Sequence, residues 1–163
     1  MTASQQIERL KQQMPTEVFF YHLEHRSLES VLPELLERTL ARGWKAVVQT
    51  SSPERAEALD SHLWTYSDES FLPHATDRDG RAARQPVLLT AGPGNANGAQ
   101  VRFLVDGAEA EDLSPYARAV FLFDGRDDAA VAGARRQWKA VQAAGHEATY
   151  WQQNEKGRWE KKA

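Results

Sequence analysis

Cysteine is absent from the 163 residues, which excludes disulfides, thiolate metal ligands and a thiol nucleophile together. Nothing in the sequence asks for an oxidising compartment, so a cytoplasmic location is expected. Long apolar runs are missing too. No stretch reaches the roughly 18 apolar residues of a membrane span, and the opening MTASQQIERLKQQMPTE has no signal-peptide core, so neither a membrane nor export is expected. Charge of one sign is not in excess: Lys+Arg number 20 against Asp+Glu 23, a net charge of −3. Such a chain has no overall field to draw in a phosphate backbone, which argues against direct nucleic-acid binding as the main role.

What is present fits one domain, long enough to bury about two thirds of its unfolded surface. Residues 1–16 are polar and reach Met14-Pro15, the pattern of a flexible N-terminal extension. VFFYHL (18–23) is a nearly continuous apolar run, as in a strand covered on both faces. Ser27 is placed to cap a helix carrying Leu28, Val31, Leu32, Leu35, Leu36 and Leu40, with Gly43 to end it. KAVVQT (45–50) reads as a second strand, and Ser52-Pro53 as the start of a helix whose Ala56, Leu59 and Leu63 share a face.

Further on, PVLLT (86–90), QVRFLV (100–105) and AVFLFD (119–124) read as strands, followed by an alanine-rich helix from about Asp127 to Ala144 and a last strand over 146–152. AGPGNANG, between the first two, suits a turn. Alternating strands and helices predict a three-layer, Rossmann-like α/β domain over 17–152, its mostly parallel sheet of about five to six strands flanked by helices on both faces. Residues 153–163 form a polar C-terminal tail.

This fold class invites a search for ligand machinery. The first strand is followed by EHRSLES, which has no glycine, and AGPGNANG is followed by a strand where a phosphate loop needs a helix. His22, His25, His62, His74 and His146 include no pair at the i, i+4 spacing of a helical zinc site. Asp124 ends a buried strand where α/β enzymes often keep a carboxylate, but a loop acceptor beside Gly125 is the simpler reading. Asp127 and Asp128 suit a helix start. No cofactor, metal or catalytic set is expected, and a degenerate nucleotide-binding enzyme remains the alternative.

HLWTYSDESFLPH (62–74) interleaves Trp64, Tyr66, Phe71 and Pro73 with structure-breaking residues. Such a segment either pins itself to the core or is offered to a partner. Together YHL (21–23), LW (63–64), ESFLPH (69–74) and ARRQWKAVQAAG (134–145) resemble the chi subunit of bacterial DNA polymerase III over about residues 17–152. The resemblance implies a non-catalytic accessory subunit that joins the clamp loader assembly to single-stranded-DNA-binding protein, with DNA contact mainly indirect.

It also implies two surfaces. One, around Leu63, Trp64, Phe71, Pro73 and His74, would meet the psi subunit or the clamp loader; the plain alternative is that Trp64 and Phe71 pin the loop to the sheet. The other, on the helix 127–144, would use Arg135, Trp138, Lys139 and Gln142 for the acidic C-terminal tail of single-stranded-DNA-binding protein, which ends in Asp, Pro, Phe and a free carboxylate. Trp138 stands where relatives carry Tyr, and Val131 where some carry a basic residue. The plain alternative makes Val131, Ala134, Trp138 and Val141 a core stripe, with Arg135 and Lys139 merely solvated.

Overall fold

The computed structural model describes residues 2–6, 16–67, 71–109 and 111–163. Most of the expected N-terminal extension therefore lies outside the described residues, as do Asp68, Glu69 and Ser70. The elements run β1 (Glu17–Leu23), α1 (Leu28–Ala41), β2 (Ala46–Gln49), α2 (Pro53–Thr65), β3 (His74–Thr76), two 3-10 turns (Asp77–Asp79 and Ala82–Arg84), β4 (Val87–Thr90), β5 (Val101–Leu104), β6 (Arg118–Asp124), α3 (Asp128–Ala143), β7 (Glu147–Gln153) and β8 (Trp159–Lys161). Among the described residues these strands make one eight-stranded sheet in the order β3-β4-β2-β5-β6-β1-β7-β8. Every neighbouring pair is parallel except β7 with β8.

The sheet has more strands than the five to six expected because β3 and β8 have three residues each, too few for an apolar period to register. β8 lies within the polar tail 153–163 and gives part of it a place in the sheet. Asn154 closes the turn: its Oδ1 accepts from the amides of Lys156 and Arg158 at 2.9 and 3.0 Å, while Gly157 takes the positive φ of 75° that the reversal needs.

Two cores follow from the alternation of side chains along the strands. On one face Val31, Leu32 and Leu36 of α1 and Ala56, Leu59 and Leu63 of α2 pack on Ala46, Val48, Leu89, Phe103 and Leu122. On the other, Ala134 and Val141 of α3 join Val18, Phe20, Val47, Leu88 and Phe121. β2, β4 and β5 are buried at every position, as expected of parallel strands covered on both sides.

The helices start where the sequence signals. Ser27 accepts from the Ser30 amide at 3.3 Å, Ser52 from Arg55 at 3.2 Å, and Asp127 from Ala129 at 3.0 Å. Pro33 sits inside α1, and having no N–H it leaves the carbonyl of Glu29, four residues back, without its helical partner. His62 of α2 supplies one, its Nε2 lying 2.6 Å from that oxygen. Since a carbonyl only accepts, His62 carries its proton on Nε2.

AGPGNANG is a turn, and a buried arginine holds it. Arg102, 2% exposed, gives all five of its N–H donors to the Gln49 side-chain oxygen (twice), the Gly92 and Gly94 carbonyls and the Tyr116 hydroxyl, at 2.6–3.1 Å. The loop thus turns carbonyls inward, the reverse of a phosphate cradle.

Candidate functional site

In an open parallel sheet, ligands enter where the connections of neighbouring strands leave for opposite faces. Here that point lies between β1, which leads to α1, and β6, which leads to α3 on the other face. The chain fills both parts of it with its own side chains. Past β1, the amides of Glu24, His25 and Arg26 converge on Gln153 Oε1 at 3.3, 3.1 and 3.2 Å; this is an anion nest occupied by a buried amide oxygen. Past β6, the His22 ring lies against Gly125, where an added Cβ would fall 1.8 Å from Nε2. Glycine is required there for space.

His22 also ties β1 to β7. Its Nδ1 shares a hydrogen bond with Tyr150 Oη at 2.5 Å, and its Nε2 lies 3.0 Å from Glu24 Oε1, close enough to attract but not aligned as a hydrogen bond. The other sequence candidates separate. Asp124 accepts from the Arg126 amide at 2.9 Å, and that bond holds its carboxyl below the usual range. Asp127 is the α3 cap. His25 is exposed, His62 bonds to α1 and His146 is half-buried. Among the described residues no group of three His, Asp or Glu is arranged to hold a metal ion.

On α3 the structure brings the expected side chains to one place. Arg135, Lys139 and Gln142 are exposed, while Trp138 is half-buried. The Trp138 ring stands edge-on to Phe20 at 5.3 Å and to Tyr150 at 6.0 Å, and Val131 packs against the same core. Trp138 is therefore both a core contact and part of the surface. Among the described residues no carboxylate is paired with Arg135 or Lys139.

Tyr150 is the member of this site that the sequence reading missed. It reaches the site through the β1–β7 register, which sets it beside Phe20, so no spacing along the chain announces it. Burial pushes its phenol up, the Arg135 guanidinium pulls it back and Glu24 adds to the rise.

The aromatic loop divides differently. Trp64 is 54% exposed and Phe71 74%, so neither is a core pin. Their rings lie 6.0 Å apart, with Trp64 4.4 Å from the His74 ring beneath. Pro73 is half-buried, whereas Leu63, 2% exposed, points into the α1–α2 core and presents no surface. His74 is buried and fixed, its Nδ1 2.6 Å from the Leu72 carbonyl and its Nε2 3.0 Å from that of Asp60. Trp64, Phe71, Pro73 and His74 line a shallow groove with Asp79 and Arg81.

Comparison with known proteins gives two matches. A family model described as DNA polymerase III chi subunit, HolC, matches residues 14–149. A probable DNA polymerase III subunit chi from Rickettsia prowazekii (strain Madrid E) is 31% identical over 85 residues, which is 52% of this chain and 52% of the relative. The chain thus matches about half the length of that relative.

Proposed function

The chain belongs to the DNA polymerase III chi subunit family, and we propose that it works as a non-catalytic adaptor between the clamp loader assembly and single-stranded-DNA-binding protein. The observation that carries this reading is the α3 surface: exposed Arg135 and Lys139 beside the partly exposed Trp138, with Tyr150 behind it. An acidic peptide ending in Asp, Pro, Phe and a free carboxylate needs one apolar wall and a few cations, and this surface offers both. The filled switch point argues against a nucleotide at that place, since Gln153 Oε1 takes the three amides and the His22 ring lies against Gly125.

The exposed pair Trp64 and Phe71 is the second half of the adaptor, facing psi or the clamp loader. Interface centres favour such rings in a groove with a polar rim, here Asp79 and Arg81. The test is a titration of the acidic tail peptide into the full chain. Arg135→Ala and Lys139→Ala are each expected to weaken binding and flatten its salt dependence, and removal of the peptide's terminal Phe to match the loss from Trp138→Ala. Unchanged binding in the Arg135→Ala/Lys139→Ala double variant at low salt would sink the reading.

A further inference from the structure

The part of the sheet formed by β1, β7 and β8 is covered by α3 on one face only. On the opposite face α1 lies over β2 and β6, and α2 over β3 and β4; among the described residues no helix is laid over β7 and β8 there. What this open face carries is aromatic. Phe19 and Tyr21 of β1 have side chains on it, and the register sets Trp151 beside Tyr21 and Trp159 beside Gln153. All four rings are half-buried. The Trp159 ring meets Tyr21 at 4.7 Å, and Phe19 lies 6.3 Å from Tyr21.

Cations border these rings. The Arg118 guanidinium lies 4.6 Å from the Phe19 ring centre and 5.4 Å from that of Trp44, and Arg42 lies 4.3 Å from Trp44. Arg38 and Arg118 both act on the Tyr21 phenol, which burial pushes up and they pull down. Lys161 pairs with Trp151 across the hairpin. Three acids share the region among the described residues: Glu17, bound to Arg118 at 3.0 Å, Glu147 at the start of β7, and Glu34, which pairs with Arg26 at 2.7 Å and is also acted on by Arg38. Arg38, Arg42 and Lys161 are exposed, and among the described residues no carboxylate pairs with any of the three. The net charge of −3 conceals this local positive balance.

We propose that this face binds single-stranded DNA directly and without sequence preference. Aromatic side chains on an open sheet face accept unstacked bases, because every base has a π face, while flanking arginines and lysines neutralise the backbone. Arg38, Arg42 and Lys161 are the phosphate contacts, and Trp159, Trp151 and Tyr21 the stacking surface. The face lies across the sheet from α3, so failure of this proposal leaves the tail-binding reading standing, and the converse holds.

The experiment uses the full chain and a fluorescein-labelled oligothymidine of about 12 nucleotides, followed by anisotropy at about 20 mM and about 200 mM salt. Binding is expected at low salt with a Kd on the order of 10⁻⁵ M, weakening as salt rises, together with quenching of tryptophan fluorescence. Trp159→Ala should weaken binding about tenfold at both salt concentrations. Arg38→Ala with Arg42→Ala should weaken it mainly at low salt and flatten the salt slope, while Arg84→Ala, at the far edge of the sheet, should change nothing. Because the arginines are exposed, the double variant tests the site even if Trp159→Ala folds poorly. Equal affinity for a duplex of the same length, or affinity unchanged in the arginine double variant, overturns the proposal. So does concentration-dependent self-association that buries the same strands without DNA.

Discussion

Gln153 and His62 do at the scale of single residues what motifs alone would not reveal: each satisfies backbone groups that its own neighbours leave open. Gln153 is 2% exposed and accepts from three consecutive amides at the entry to α1. Gln153→Ala should cost about 1–3 kcal/mol, read from denaturant unfolding, because three part-buried amides lose their shared acceptor at once. A loss near that of an exposed Gln→Ala would mean that water reaches the nest. His62 offers a sharper test. His62→Ala should destabilise by roughly 1–2 kcal/mol, since Glu29 loses its acquired partner. In a Pro33→Ala background residue 33 has its own N–H for that carbonyl, so the same change should cost distinctly less. Additive costs would show that Pro33 and His62 are not linked through the Glu29 carbonyl. For Trp64→Ala and Phe71→Ala the exposures of 54% and 74% predict little loss of folding stability, and a loss of partner binding of roughly 2 kcal/mol or more if they are anchors. A fall of several degrees in melting temperature with partner binding retained would return them to the role of pins.

At the scale of elements, α3 combines what the sequence announces with what only the sheet creates. Its charged face was legible because Arg135, Lys139 and Gln142 recur at three and four residues, and its cap because Asp127 precedes the apolar run. The long strands were legible for the same kind of reason: VFFYHL and AVFLFD are apolar enough to require cover on both faces. Tyr150 was not legible as a site residue, since it lies 128 residues from His22, the side chain that fixes its hydroxyl. The burial of Leu63 was legible, since it shares a face with Ala56 and Leu59, whereas the resemblance put it on the partner surface with Trp64, which lies about 100° further round α2. Tyr150→Phe separates the two contributions. It keeps the ring against Trp138 but removes the hydroxyl shared with His22, so tail affinity should fall by only a few-fold if the ring matters most. A loss as large as that from Trp138→Ala would place the hydroxyl itself against the peptide.

For the whole molecule the question is how an eight-stranded sheet ends. Edges invite pairing with other chains, and short, charged strands discourage it. One edge is β3, with three residues. The other is β8, whose Glu160 and Lys161 are exposed, as is Lys162 just after it; the chain beyond β8 engages Tyr150, the Lys162 amide donating to its carbonyl at 2.7 Å and the Tyr150 amide to the Ala163 carbonyl at 3.0 Å. Beneath β8 lies β7, seven residues carrying Tyr150 and Trp151, long and aromatic enough to be an aggregation edge if uncovered. Removing residues 157–163 should therefore do two things: lower the melting temperature by several degrees, as the Trp159 contact with Tyr21 and the ladder go together, and raise self-association above that of the full chain. Trp159→Ala separates them, because it keeps the ladder and loses only the ring, at about 1–2 kcal/mol for a half-buried indole. It should melt earlier yet sediment like the parent. If the truncated chain also sediments like the parent at high concentration, β8 is not an edge guard, and its contribution is confined to packing.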